Sequence, residues 1–321
     1  MSRESKYKDV IHTDLRFLST YPTYTSIIEE VMTLVDGTVI QGITPPAFVS
    51  TSTTSILRNA RDFYLSLPGK YPSLFRTYCN DFYSSFTFRK LKKGDVPFGE
   101  TTPIYGTNHT QIVCGYNNQV DDYTTAIHEY SHGIATMLNP KQFFDVEKYC
   151  IAETDGVFFE LVGADYTGKH LGLKKEVINS TINTIGDNLL DLDIIYSKIK
   201  MYRETQFKWS RTNVEEYLKD LGYNNDGIQY FMNFYLKDYF HYIIAYLNAI
   251  ELYQIYQQDK RSALDLLLRI IKKTDCSAKE QLEYIHSLGI HPGENVLSYF
   301  EHIRKQDQEV GYGKRLQYKI K

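Results

Sequence analysis

Residues 126–133 constrain this chain more than any other segment, because they read A-I-H-E-Y-S-H-G and contain the pattern H-E-x-x-H. Two aspartates precede this run, and it meets no helix breaker except one glycine before Pro140, so the sequence predicts a helix here. Residues four apart lie on one face of a helix, and His128 and His132 would therefore present two imidazoles to one point. Glu129 projects about 100° away and reaches beside that point.

Two neutral imidazoles at one point suit a divalent zinc ion, and a carboxylate beside the metal can take a proton from water. We therefore expect one Zn²⁺ per chain, with His128 and His132 as ligands and Glu129 as the general base. An H-E-x-x-H run also arises by coincidence, but the helical setting favours the zinc interpretation over a chance match.

A catalytic zinc usually takes three protein ligands. A second helix is predicted over residues 149–163, where Glu153 lies 21 residues after the motif among apolar neighbours. A carboxylate in apolar surroundings is costly unless it is paired or bound to a metal, which favours Glu153 as the third ligand, with Asp155 and Asp165 as competitors. Glu160 falls on the same face two turns later and can accept the free N–H of a ligand imidazole. For Glu153 and Glu160 alike, the alternative is a solvated helix face.

A second signal lies on a long helix predicted over residues 226–257. Tyr235, Tyr239, Tyr242 and Tyr246 follow at i, i+4, i+7 and i+11 and would share one face of that helix. Tyrosine hydroxyls that face a cleft can donate hydrogen bonds to a developing oxyanion. The alternative is an aromatic stripe that packs in the core, and periodicity alone favours that alternative.

A β-prone run at residues 110–114, T-Q-I-V-C, is bounded by turn residues and predicts a short strand just before the metal helix. A strand with a free edge can pair with an extended peptide, so Ile112, Val113 and Cys114 are candidate substrate-binding residues. The alternative is a small structural hairpin.

The remaining segments are mostly helical in pattern. A length of 321 residues suits one large domain over residues 1–321, with a helical N-terminal part at 1–95 and an active-site part at 96–321. Further helices are predicted at residues 15–18, 27–34, 56–67, 71–88, 174–183, 188 through the 200s, 262–273, 277–288 and 294–308.

Composition argues against several classes of protein. The net charge is −3 with no block of like charge, which argues against nucleic-acid binding. The four cysteines are scattered without a C-x-x-C pair, and we expect reduced thiols. No apolar run at the start of the chain resembles a signal peptide, and none elsewhere is long enough to span a bilayer, so a cytoplasmic protein without a membrane partner is expected.

Several of these segments together resemble the zinc oligopeptidases of the thimet oligopeptidase and oligoendopeptidase F family. The motif H-E-Y-S-H-G at 128–133, followed by I-A-E-T-D-G-V-F-F-E at 151–160, is similar to the family's H-E-x-G-H, its later glutamate ligand and a further glutamate seven residues on. Residues 230–239 look like the family's aromatic helix, and residues 112–118 look like the strand and turn before its metal helix. The resemblance covers roughly residues 95–310.

The resemblance implies a mainly α-helical, gluzincin-type catalytic domain with a small β-sheet beside the active site. It also implies that Tyr235, with Tyr239 or Tyr242, stabilises the transition state. Where the family usually has a histidine six residues before the first of these tyrosines, this chain has Gln229, a candidate substrate-binding residue that cannot carry charge. Ser131 stands in place of the family's glycine inside the metal motif. The chain is about half the family's usual length, so most of the N-terminal lobe is expected to be missing.

The function expected from the sequence is a zinc-dependent endopeptidase that hydrolyses peptide bonds in peptides, with a zinc-activated water and a glutamate general base. Two alternatives remain open. Gln229 and the short length favour a degenerate, non-catalytic member that binds peptides or a protein partner. A zinc hydrolase that acts on a non-peptide amide is the other.

Overall fold

A computed structural model describes residues 3–20, 22–36, 38–40, 48–92, 95, 98–104, 106–140, 149–204, 211–273, 277–311 and 315–317. Within these residues the chain is mainly helical, as predicted. The helices are α1 (Arg3–Thr20), α2 (Pro22–Val35), α3 (Thr53–Ser66), α4 (Tyr71–Thr77), α5 (Asp121–Leu138), α6 (Tyr149–His170), α7 (Lys174–Glu204), α8 (Arg211–Asp220), α9 (Asn225–Asn233), α10 (Leu236–Gln258), α11 (Lys260–Lys272), α12 (Ala278–Ser287) and α13 (Val296–Glu309). The strands are β1 (Val39–Ile40), β2 (Tyr83–Lys90), β3 (Gly99–Pro103), β4 (Thr110–Tyr116) and β5 (Leu316–Gln317), and a π-helical turn (Tyr78–Phe82) precedes β2.

Three of the strands form one small sheet. β4 is its central strand and pairs with β2 in parallel and with β3 in antiparallel orientation. β1 and β5 form a separate antiparallel pair. The chain passes from β4 through a short turn into α5, and α5 packs against β3 and β4, so the sheet lies beside the helix that carries the H-E-x-x-H motif.

Asp122 fixes the turn between β4 and α5. Its carboxylate accepts the backbone N–H groups of Asn117 and Gln119, each at 3.1 Å. Asn118 adopts a positive φ of 63°, a left-handed conformation that asparagine tolerates better than most residues. These bonds anchor the start of α5 to the sheet, and they thereby set where the side chains two turns further along the helix point.

α6 lies at the centre of the helical layers, with α10 packed along one side and α5 along another. Phe158 and Phe159 are fully buried, and the ring of Phe159 contacts the rings of Phe63, Tyr64 and Tyr71. Burial of each phenylalanine contributes about 1.5–3 kcal/mol. Because α6 is covered on several sides, its apolar residues surround the helix instead of forming a single stripe.

Most predicted elements are present, but three predictions are wrong. Residues 71–88 do not form one helix, because the β-prone run Y-S-S-F-T-F belongs to strand β2. The two helices predicted at 174–183 and from 188 onward are the single helix α7. The long helix predicted over 226–257 is interrupted at Phe234 and Tyr235, where α9 ends and α10 begins.

None of the helices in the described parts of the chain is both long and apolar enough to cross a membrane. Cys79 and Cys114 are free thiols, as predicted. Cys276 and the side chain of Cys150 lie outside the described residues.

Candidate metal centre and active site

α5 and α6 bring the three predicted metal ligands together. His128 and His132 stand one turn apart on α5, and Glu153 faces them from α6. Glu153 Oε2 lies 3.4 Å from Nε2 of His128 and 3.5 Å from Nε2 of His132. One ligand atom from each residue lies within 4.8 Å of the other two, and these are the only His, Cys, Asp or Glu residues so grouped within the described ranges.

A second carboxylate stands behind each imidazole. Glu160 Oε1 lies 3.2 Å from Nδ1 of His128, and Asp155 Oδ2 lies 3.6 Å from Nδ1 of His132. Such carboxylates favour the tautomer with its proton on Nδ1 and direct the Nε2 lone pair toward the shared point. Glu160 therefore lies where the sequence predicted it. Asp155 and Asp165 were the two competitors for the third ligand position. Asp155 lies behind His132, and Asp165 accepts a hydrogen bond from Tyr253 at 2.6 Å.

His132 is buried, His128 and Glu153 are partly buried, and the charges of these groups shift one another's pKa values. Burial alone would lower the pKa of His128, but the carboxylates of Glu160 and Glu153 outweigh it and raise that pKa well above its ordinary value. Burial alone would also lower the pKa of His132, but the carboxylates of Glu153 and Asp155 outweigh it and raise that pKa to about 10. Burial would raise the pKa of Glu153, but the two imidazoles hold it well below its usual range. A cation at this point would therefore compete with protons for the ring nitrogens.

Glu129 lies beside this cluster on α5 and is 4% exposed. Thr101 of β3 donates its hydroxyl to Oε2 of Glu129 at 2.7 Å. Gly99, on the same strand, approaches so closely that a Cβ there would lie 2.2 Å from Oε1. β3 therefore fixes this carboxylate, and no described residue donates a hydrogen bond to Oε1. Neither β3 residue was predictable from the sequence, because nothing local links Thr101 to a side chain 28 positions away or Gly99 to the same carboxylate.

Gly156 permits the close approach of α6 to α5. A Cβ at this position would lie 2.5 Å from both Cε1 and Nε2 of His128, inside van der Waals contact. The sequence carried one signal of this role, since a glycine inside a predicted helix weakens the helix unless packing requires it.

The prediction that a substrate backbone pairs with Ile112, Val113 and Cys114 is wrong. These residues lie on β4, whose two hydrogen-bonding edges are occupied by β2 and β3. The side chains of Ile112 and Cys114 are buried in the core. The outer edge of β3 has no partner among the described strands, and β3 is the strand that contacts Glu129.

The tyrosine stripe separates at the interruption between α9 and α10. Tyr235 is the N-cap residue of α10 and has an extended backbone, so it leaves the helical register of the others. Its hydroxyl donates to Asp9 Oδ2 of α1 at 3.1 Å. Tyr239 stacks on Phe234 with the ring centroids 3.7 Å apart, and Tyr242 is 48% exposed.

The fourth tyrosine, Tyr246, packs in the core, as the alternative interpretation of the stripe predicted. Burial raises the pKa of Tyr246, and the negative charge of Glu160 raises it further, which puts this side chain near the carboxylate behind His128. Gln229 is exposed on α9. The structure therefore gathers the metal residues and Glu129 tightly, while Gln229 and Tyr235 belong to the α9–α10 segment.

No protein-family model and no curated protein matches the sequence. Solved structures share its fold. A protein assigned as an oligoendopeptidase F from Bacillus anthracis str. Ames is 12% identical with a TM-score of 0.54, over 97% of this chain and 57% of that one. A protein assigned as a peptidase from Chlamydophila abortus is 15% identical with a TM-score of 0.58, over 97% and 56%. PZ peptidase A, solved with an inhibitor, is 11% identical with a TM-score of 0.53, over 95% and 58%.

The chain spans just over half the length of each of these proteins. At these identities the likeness establishes the fold. The predicted mainly helical architecture with a small sheet is confirmed, and the chain shares the fold of oligoendopeptidase F.

Proposed function

From a fold shared with oligoendopeptidase F, we propose that this chain is a zinc-dependent peptidase that hydrolyses peptide bonds in peptides. One observation carries the proposal: His128, His132 and Glu153 converge on one point, with the buried carboxylate of Glu129 beside it. A binding module has no need of a buried carboxylate next to such a cluster, whereas hydrolysis requires a base there.

The residues present suit zinc. Two imidazole nitrogens and one carboxylate oxygen form the ligand set of many catalytic zinc sites, which keep a fourth position open. The carboxylates of Glu160 and Asp155 behind the two rings are the outer partners that zinc-binding histidines usually have. A zinc ion held there would supply a Lewis acid for the scissile carbonyl and for the attacking water.

Side chains of the protein would transfer the proton and stabilise the oxyanion. Thr101 engages Oε2 of Glu129, so Oε1 is the oxygen able to accept the proton of the attacking water and later return it to the leaving amine. Tyr235, once released from Asp9, with Tyr239 or Tyr242, would donate to the oxyanion.

We further propose that the substrate backbone pairs with the outer edge of β3. An extended peptide added to this edge would run past Thr101 and Gly99, which contact the carboxylate of Glu129. Main-chain hydrogen bonds along the strand would orient the scissile bond with little dependence on side chains.

The test combines zinc content with turnover of a quenched mixed-peptide library, with and without a chelator. We expect one zinc per chain and chelator-sensitive cleavage. Glu129→Gln should keep its zinc and lose about 10²–10⁴-fold in turnover. The control is Glu216→Gln on α8, where the glutamate is exposed, and it should change neither. Full activity of a zinc-loaded Glu129→Gln protein would refute the assigned base.

A second candidate function is a non-catalytic peptide-binding module. It is favoured by the bond from Tyr235 to Asp9, which engages a hydroxyl that catalysis needs, and by the exposed Gln229. Bound zinc and peptide binding without turnover, in both the original chain and a Gln229→His variant, would select this alternative.

A further inference from the structure

An open pocket of about 470 Å³ lies between α3, α4, the π-helical turn and α5, away from the metal centre. Among the described residues, its charged lining consists of three arginines, Arg58, Arg61 and Arg76, without a lysine, aspartate or glutamate. Its volume falls in the range of small-molecule sites. A purely positive lining is unexpected in a chain whose net charge is −3.

Two of these guanidinium groups have no carboxylate partner in the described parts of the chain. Arg61 is bound to Asp62 through Nε and Nη2, at 3.0 and 2.8 Å. Among the described residues, none forms an ion pair or hydrogen bond with Arg58 or Arg76, and both side chains are exposed. Their planar donors therefore remain available for an oxyanion, which arginine binds with two parallel N–H groups.

The inner part of the pocket is apolar. Phe75 and Tyr130 line it, together with Leu57 and Leu65. The ring of Tyr130 contacts the rings of Phe75 and Tyr64 at 5.4 and 6.4 Å, so this surface is fixed by a packed aromatic cluster. An apolar body can rest there while a charged end reaches the arginines at the rim.

The remaining polar groups of the pocket carry no competing charge. Burial raises the pKa of Cys79 to about 11, so its thiol stays protonated at neutral pH. Asn80 is exposed in the π-helical turn and is neutral.

The pocket is separate from the proposed peptidase centre. Tyr130 follows His128 by two positions and precedes His132 by two, and at about 100° per residue it projects from the opposite side of α5. A ligand in the pocket would contact α5 on the side opposite His128 and His132, so the pocket does not bind the scissile peptide.

We infer that this pocket binds a small organic anion, in which a carboxylate or phosphate ester is attached to an apolar or aromatic body. The oxyanion would lie between Arg58 and Arg76, and the body would pack on the partly exposed side chains of Leu57 and Leu65, next to the buried rings of Phe75 and Tyr130. The inference does not depend on peptidase activity, because only these residues make the site.

Isothermal titration calorimetry of the full chain tests this with three probes: phenyl phosphate, 3-phenylpropionate and inorganic phosphate. The protein is stripped of metal with 1,10-phenanthroline and dialysed, so the probes cannot bind zinc. We expect phenyl phosphate or 3-phenylpropionate to bind, and inorganic phosphate to bind at least about tenfold more weakly because it lacks the apolar body. Binding of the first probe alone identifies a phosphate ester, and binding of the second alone a carboxylate.

The variant Arg58→Ala/Arg76→Ala should weaken binding at least about tenfold, since charge-assisted bonds are lost. Asn80→Asp adds a carboxylate at the pocket and should weaken it as well, which provides a second test if the double variant does not fold. Arg269→Ala on α11, an exposed arginine outside the pocket, is the matched control and should bind as the original chain does. Absence of binding by all three probes at millimolar concentration, or binding that both variants leave unchanged, would overturn the inference.

Discussion

Gly156→Ala is the substitution that most directly tests the arrangement of α5 and α6. The added Cβ would lie 2.5 Å from Cε1 and Nε2 of His128, whereas ordinary contact begins at 3.4 Å. The ring or the helix must therefore move by about 1 Å, and this ring has little freedom because it lies between Glu153 and Glu160 and contacts both.

The substitution should weaken zinc binding more than it lowers the free energy of unfolding. Overpacking costs about 1–3 kcal/mol. Alanine recovers about 1 kcal/mol of helix propensity over glycine, so the free energy of unfolding should fall by only about 0–2 kcal/mol. Metal–ligand distances tolerate about 0.2 Å, so a 1 Å shift of His128 should weaken zinc binding by at least about tenfold.

Zinc affinity is measured by competition with a chromogenic chelator, and stability by urea denaturation of the metal-free protein. The control is Gly186→Ala on α7, where the added Cβ meets only the flexible end of Ile40 at 3.3 Å. It should keep the original zinc affinity and gain up to about 1 kcal/mol of stability. A folded Gly156→Ala protein that binds zinc as tightly as the original would show that His128 is not a ligand in this position.

Three further predictions follow from the same contacts. Glu160→Gln removes the charge behind His128 and should weaken zinc binding by about 10–100-fold in the same competition assay, and an unchanged affinity would contradict the role of that carboxylate. Zinc binding at pH 7 should release protons, and zinc affinity should rise with pH, because the pKa of His132 is raised to about 10. The same raised pKa means that the metal-free fold is stabilised below the ordinary pKa of 6.5 and loses that stability as the pH approaches 10. Calorimetry of zinc binding in buffers of different ionisation enthalpy measures the proton release, and a finding of none would contradict the raised pKa of His132. Lys198→Met leaves the fully buried carboxylate of Asp14 without its partner and should cost about 3–5 kcal/mol in urea denaturation, and Asp14→Asn added to it should restore part of that loss if the unpaired charge is the cause.

The metal residues were predictable from sequence because their geometry is local. Spacings of four within α5 and seven within α6 decide which side chains share a face, and the helix period converts them directly into positions. The role of Asp155 behind His132, the contact of Thr101 with Glu129 and the central place of β4 were not predictable in this way. Each depends on how one element packs against another, and a strand's sequence does not reveal which of its edges a neighbour will occupy.

The interruption before α10 shows how such long-range contacts reach the proposed active site. The ammonium group of Lys198 donates to the carbonyl of Phe234, and the N–H of Leu236 donates to Asp14 at 2.8 Å. Lys198 and Asp14 are themselves joined at 2.8 Å, although 184 positions separate them in the chain. Tyr235 lies between the two peptide groups so anchored, and the direction of its hydroxyl is therefore set by α1 and α7 instead of by the register of α10. A change at Lys198 should thus move Tyr235 before it disturbs the metal residues, so that turnover falls while zinc stays bound.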